Sequence, residues 1–326
     1  MTKIRIGIVG AGHMGQRHAQ ILARDERVHL AAVYDIQQER ARACAQACGA
    51  EAVESLEALL ERVEAVVIAT PNTQHVEATL RALEAERHVF CEKPLATSVE
   101  DAHRVLEASR RSRSVVQVGH NRRFAPVYRA VRRLLEEEGF RPHAVHAKMN
   151  RGELLVPPWV GDPSVTGGFL YETTIHMLDL LRWWFGEVAS VAVHASQHEY
   201  SELEDFSILL RFQSGVHATL TSSADASWHF PFERVEIFGA HATIETQELE
   251  RLIYTPSARA SPIRQEFTDL EEEWRWGYVQ EDTAFVDAIV RGQPAAVTAL
   301  DGYRAVQLVD TCYRAARTGE WITLSP

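Results

Sequence analysis

The chain has 326 residues, too many for one ordinary core, and with 46% hydrophobic and 24% charged residues it has the material for packed interiors, which excludes a disordered chain. A formal net charge of −11 excludes a surface built to neutralise nucleic-acid phosphates or to adhere to anionic lipid, so the expected partner is a small molecule. No apolar run approaches the ~20 residues of a membrane helix, and the first strand opens too early to leave room for a signal peptide; the expected location is the cytoplasm, with no membrane and no nucleic-acid partner.

From Ile4 to Val9 an apolar run leads directly into Gly10, Gly12 and Gly15. A GxGxxG alone is a weak signal, but here a strand precedes it, a helical pattern from His13 to Arg24 follows, and Asp35 ends the next apolar run, LAAVYD, 20 residues past Gly15. Gly10 permits the tight turn, Gly12 lets the backbone approach a pyrophosphate, and Gly15 allows the helix to pack on the strand. The helix start at His13 and Met14 presents N–H groups to the anion. A carboxylate at Asp35 accepts hydrogen bonds from ribose hydroxyls and repels a 2′-phosphate, so NAD is the expected cofactor. Arg40, one turn along the next helix, softens that preference and keeps NADP as the alternative.

Up to about residue 120, short buried runs (IRIGIVG, HLAAVYD, AVVIAT, HVFCEK, SVVQVG) alternate with amphipathic helices from His13 to Arg24, Gln37 to Ala47, Gln74 to Leu83 and Val99 to Arg110. That is the pattern of a parallel sheet covered on both faces, where ligands lie outside the carboxyl ends of the strands. The residues at those ends are Thr70, Pro71 and Asn72, with His75 one turn into the next helix, and then Glu92, Lys93 and Pro94. A lone strand-end lysine reads equally as a solvated charge; its place on a cofactor-bearing edge makes Lys93 a candidate.

After Phe124 a basic helix, APVYRAVRRLLEEEG, leaves this region, and alternating stretches such as SVAVHASQ, FSILLRFQ, GVHATLTSS and RVEIFGA read as an antiparallel sheet. Helical patterns from Val279 to Arg291 and Leu300 to Arg317, then a strand WITL, close the chain. The expected domains are residues 1–120 and 121–326.

Residues 167–186, GGFLYETTIHMLDLLRWWFG, read as a helix apolar on nearly every face, with Glu172, His176 and Asp179 in one polar stripe. A carboxylate one turn from an imidazole fixes its tautomer and stabilises its protonated form, which suits a general base. A stripe hydrogen-bonded inside the core is the alternative, and for Asp179 with Arg182 it stays open. The four cysteines form no CxxC and read as reduced thiols. The pairs His143/His146 and His194/His198 lie in strand-like segments with no cluster of ligands beside them, so no metal is expected.

With GAGHMGQRHA, ATPNTQH, the EKP at 92–94, GHNRRF at 119–124, the GG and ExxxH of 167–176, and LDGYRAVQLVDTCYRAARTGEWITL, the chain resembles the glucose–fructose oxidoreductase, inositol dehydrogenase and MocA (Gfo/Idh/MocA) family. The resemblance implies α/β plus α+β architecture: an N-terminal Rossmann dinucleotide-binding domain, then an open-faced, mainly antiparallel sheet domain that often mediates homodimers or homotetramers. It implies an NAD(P)-dependent enzyme moving hydride between nicotinamide and a secondary alcohol of a sugar or cyclitol. Lys93, often followed in such enzymes by a cis peptide at Pro94, would reach cofactor and substrate, and His176 would act as acid/base. Glu172 stands where better-known members carry Asp, and Thr174 replaces a residue that is often small. One extra methylene moves a carboxylate by about an ångström, which matters for reacting geometry. Asn121, Arg122, Trp159 and Tyr171 are candidate substrate contacts, Trp159 being equally a packing anchor and Arg122, with Arg123, equally a helix-start or interface charge. The same architecture also serves dinucleotide-binding regulators and redox-assisted glycosidases; retention of Lys93 and His176 argues against a pure regulator.

Overall fold

The computed structural model describes residues 3–136, 139–151, 158–227 and 231–324. Two units divide the chain: unit 1 runs as far as His120 and resumes over Tyr278–Val306, and unit 2 takes Asn121–Gly277 and the chain from Gln307 onward. The first break falls at the expected residue 120, and Tyr278–Val306 returns to unit 1.

In unit 1, β1 (Ile4–Val9), β2 (Val28–Tyr34), β3 (Glu51–Ala52), β4 (Ala65–Ile68), β5 (His88–Glu92) and β6 (Val116–Gly119) form a parallel sheet in the order β3-β2-β1-β4-β5-β6. This is the Rossmann order, with the switch in direction between β1 and β4. Strands covered on both faces have no polar side, and β4 is buried along its whole length. The connecting helices are α1 (His13–Ala23), α2 (Gln38–Cys48), α3 (Leu56–Leu60), α4 (His75–Glu84) and α5 (Val99–Arg111). Serine caps start two of them: Ser55 Oγ accepts from Ala58 N, and Ser98 Oγ from Asp101 N, each at 3.1 Å. Gly49, left-handed at φ 73°, stops α2.

The returning segment builds unit 1's interior. Phe285, on the helix Tyr278–Arg291, meets Phe90 of β5 edge-on at 5.8 Å between centroids. Gly302 lies so close to β6 that a Cβ there would stand 2.9 Å from Val118 Cγ2. Burying Phe90 alone contributes about 1.5–3 kcal/mol.

Among the described residues, unit 2 holds α6 (Pro126–Glu136) and nine strands: β7 (Pro142–Met149), β8 (Val188–Ser196), β9 (Asp205–Phe212), β10 (His217–Ser223), β11 (Glu233–Gly239), β12 (Thr243–Gln247), β13 (Arg251–Thr255), β14 (Ile263–Glu266) and β15 (Ile322–Thr323). They order as β14-β13-β12-β11-β7-β10-β9-β8-β15, antiparallel except where β10 runs parallel to β7. Strict alternation explains its two faces. In β9, Phe206, Ile208, Leu210 and Phe212 point inward, while Ser207, Leu209 and Arg211 are exposed. Among the described residues no helix is long and apolar enough to cross a membrane.

Candidate active site

The turn between β1 and α1 is shaped by close contact. Gly10 sits at φ 91°, and a Cβ on it would lie 2.6 Å from Ala69 O; on Gly15 it would lie 1.8 Å from Gly10 O. Gly12 differs, because a Cβ there meets nothing within 4 Å. It is the residue before α1, and no side chain caps the helix start at His13 and Met14, so the N–H groups of the first turn open onto that space. Asp35, directly after β2, is buried and reaches back to this turn: Oδ2 accepts from Ala11 N and Oδ1 from Gln37 N, both at 2.7 Å. Each carboxylate oxygen has a second lone pair available to a ribose hydroxyl. Ile36 beside it is an apolar side chain 84% exposed, and Arg40 is also exposed. An open cradle at Gly12, an uncapped helix start and an anchored carboxylate fit a dinucleotide.

The strand ends beside this turn are tied together. His75 is buried between the chain after β4 and the chain after β5, with Nδ1 2.7 Å from Pro94 O and Nε2 2.9 Å from Thr70 O; a neutral ring donates to one of these carbonyls. Burial, the largest influence, holds its pKa below the ordinary value despite those carbonyls. Asn72 is buried in the turn leading to α4, and Thr70 and Pro71 are half-buried. Glu92 is buried too: Oε1 lies 3.0 Å from His18 Nε2, while Oε2 accepts from Lys93 N at 2.9 Å. Burial pushes the Glu92 carboxyl up, but its hydrogen bond and charge contact with His18, and the nearby Lys93, bring it below the usual value. Lys93 itself is half-buried, and the Lys93–Pro94 peptide is cis.

In unit 2 the expected continuous helix over 167–186 is divided. A π-helical turn over Leu170–Thr174 precedes the helix Ile175–Phe185. Gly167 and Gly168 take φ of 83° and 108°, a Cβ on Gly168 would stand 2.5 Å from Tyr313 Oη, and that hydroxyl accepts from Leu170 N at 3.0 Å. The wider turn alters the angular spacing that an α-helical stripe assumes. Glu172 and His176 remain half-buried, and Glu172 Oε1 lies 3.4 Å from Arg151 Nη1. Asp179 leaves the stripe for the core, where Arg123 holds it. Thr174 Oγ1 is 2.7 Å from Ser222 Oγ, which donates to Met149 O at 2.6 Å, fixing the helix start to the sheet.

Three of the four expected substrate contacts are instead engaged with protein. Asn121 Nδ2 donates to Trp276 O at 2.9 Å; Arg122 pairs with Glu233 at 3.4 Å and stacks on the Trp276 ring at 4.5 Å; Tyr171 stacks on Tyr313 at 6.1 Å. All three side chains are buried. Trp159 is exposed. For Arg151 the sequence carries no signal, whereas His18 stands three residues past Gly15.

A 3-2-1-4-5-6 parallel sheet, with a glycine turn open to a pyrophosphate and a carboxylate at the end of β2, defines a dinucleotide-binding protein. Residues 4–120 match the profile of the oxidoreductase family with an NAD-binding Rossmann fold, and residues 133–324 match that family's C-terminal alpha/beta domain; the chain belongs to the Gfo/Idh/MocA oxidoreductases. It is similar to an inositol 2-dehydrogenase of Rubrobacter xylanophilus, 31% identical over 97% of this chain and 92% of that protein. It is also similar to a myo-inositol 2-dehydrogenase of Thermotoga maritima, 27% identical over 94% of each. Among solved structures, GenD2 from gentamicin A biosynthesis, in complex with NAD, superposes with a TM-score of 0.87 at 25% identity, covering 100% of this chain and 97% of that one.

Proposed function

We propose that the protein oxidises a secondary alcohol of a cyclitol or sugar with NAD, Lys93 holding the reacting oxygen and His176 taking the hydroxyl proton. NAD, when bound, supplies the acceptor for the hydride that leaves carbon with its electron pair. The proton from oxygen passes to the imidazole of His176, and the C–O bond becomes a carbonyl. The Lys93 ammonium donates to the oxygen as it gains alkoxide character, which lowers the barrier where charge develops. Glu172, paired with Arg151, orients the His176 side of the site. The observation that carries this reading is Lys93 itself, delivered by a buried strand to the cofactor-bearing edge with its own N–H fixed by Glu92. The inositol dehydrogenases similar to this chain support the substrate class.

The test is NADH absorbance with a panel of inositols and aldoses, on the parent protein and on Lys93→Met and His176→Gln. Each variant is expected to lose about 10²–10⁴-fold in kcat with cofactor binding retained. Turnover within about threefold of the parent would remove that residue's role. Bound cofactor with no absorbance change across the panel would favour a regulator, and sugar release from a glycoside without net NADH a redox glycosidase. We further read the working form as a cytoplasmic homodimer or homotetramer. The open sheet face of unit 2 supports assembly, and light scattering measures it.

A further inference from the structure

We propose that His18, clamped between Glu92 and Asp282, is a positioning residue for Lys93. His18 lies on α1 and is completely buried; its Nδ1 is 2.8 Å from Asp282 Oδ1 and its Nε2 is 3.0 Å from Glu92 Oε1. An ionised carboxylate only accepts, so with one on each ring nitrogen both nitrogens donate and the ring is an imidazolium. The other oxygen of Glu92 accepts from the backbone N–H of Lys93 at 2.9 Å. A continuous line of hydrogen bonds thus runs from the helix Tyr278–Arg291 through α1 to the residue at the end of β5. The rings of Phe90, at 4.9 Å, and Tyr278, at 6.4 Å, wall the imidazolium. Gly119, paired with Glu92 in the sheet, leaves the carboxylate its space: a Cβ there would lie 3.2 Å from Glu92 Oε2.

Stability alone is a poor reason for this arrangement. Buried ionic clusters are often matched or bettered by apolar side chains of the same volume, whereas a clamp that fixes one backbone position has no apolar substitute. Among the described residues His18, Glu92 and Glu281 also stand close enough to suggest a metal cage. With both His18 nitrogens bound to carboxylates, no imidazole lone pair is left for a cation. What the clamp fixes is the end of β5, and α1, which carries His18, is also the helix that begins at the glycine turn. One buried charge therefore sets the lysine relative to the turn that receives the pyrophosphate.

This inference rests on the reading that Lys93 acts on the reacting oxygen, and a double-mutant cycle separates the two. Asp282→Asn is made in the parent and in Lys93→Met, and kcat and KM for NAD are measured with myo-inositol or the fastest substrate of the panel. In the parent background kcat is expected to fall on the order of ten- to a hundredfold, with KM for NAD within about twofold. In the Lys93→Met background Asp282→Asn is expected to change kcat by less than about twofold. Equal losses in both backgrounds, or no loss in the parent, would overturn the positioning role while leaving Lys93 in place. Full turnover by Lys93→Met alone would instead sink the reading beneath it. If Asp282→Asn does not fold, Asp282→Glu carries the same cycle: it keeps the charge but shifts the clamp, with a loss of about three- to tenfold expected only where Lys93 is present.

Discussion

Arg123 grips Asp179 with two hydrogen bonds, Nε to Oδ2 at 2.7 Å and Nη2 to Oδ1 at 2.6 Å, and both side chains are buried. The pair joins the turn Asn121–Phe124 to the helix Ile175–Phe185, and the parallel fork geometry is the strongest form of such contact. Asp179→Asn leaves a buried guanidinium without its counter-charge and is expected to cost about 3–5 kcal/mol in urea unfolding. The folded fraction should keep its kcat, since Asp179 braces the helix from within; a variant with parental stability would contradict this.

Two glycines of the same motif should fail in different ways. At Gly15 a methyl group would overlap Gly10 O at 1.8 Å, so Gly15→Ala is expected to destabilise the protein by more than about 2 kcal/mol. At Gly12 the same methyl meets no protein atom, so Gly12→Ala should stay within about 0.5 kcal/mol of the parent while NAD binding weakens about tenfold. Thermal unfolding and NADH fluorescence titration report the two effects separately.

Asp35 anchors two backbone N–H groups and is proposed to face the ribose of the cofactor, and substitution should separate the two. Asp35→Ser removes the carboxylate that opposes a 2′-phosphate, so the ratio of kcat/KM for NADP over NAD is expected to rise by about tenfold or more. The same change cuts the bonds to Ala11 N and Gln37 N and should lower stability by about 1–3 kcal/mol. An unchanged cofactor ratio would remove Asp35 from cofactor choice.

The clamp at His18 predicts a pH signature. Burial pushes this imidazole down, but the charge and hydrogen bond of Asp282 and those of Glu92 outweigh it, leaving the pKa well above 6.5. A raised histidine stabilises fully below 6.5 and loses that contribution as pH rises toward its folded pKa, by about 1.4 kcal/mol per pH unit in the window. Glu92, lowered from 4.5, works in the other direction: its contribution is present above 4.5 and is lost as pH falls through the depressed value. The stability gap between the parent and His18→Gln is therefore expected to be widest between pH 4.5 and 6.5 and to narrow above it. His75 is common to both proteins and cancels. Urea unfolding across this range measures the gap; one that widens with alkali would contradict the imidazolium.

The strands of unit 1 were legible because buried parallel strands read as unbroken apolar runs, and the turn because GxGxxG leaves no other residue room at Gly10 and Gly15. β3 and α3 escaped: two and five residues are too short to show a period. The π turn at Leu170–Thr174 is set by Tyr313, far along the chain, so local spacing predicted a plain helix and a three-residue stripe. Polar and aromatic residues near motifs suggest a site, as Asn121, Arg122 and Tyr171 do, but partners such as Glu233, Trp276 and Tyr313 are visible only after folding. Membership of residues 278–306 in unit 1 is hidden for the same reason, since Phe285 and Asp282 meet Phe90 and His18 across more than half of the sequence.

That return of the chain has a consequence for manufacture of the protein, in cells or in the laboratory. When synthesis has delivered His120, all six parallel strands exist, yet Phe90 still lacks Phe285 and His18 still lacks Asp282. A truncated product stopping there would carry an unfinished apolar flank, so expressing the nucleotide-binding half by itself calls for splicing residues 278–306 onto it. The half that comes first in the gene is the one completed late, after every strand of its neighbour but the last has been made.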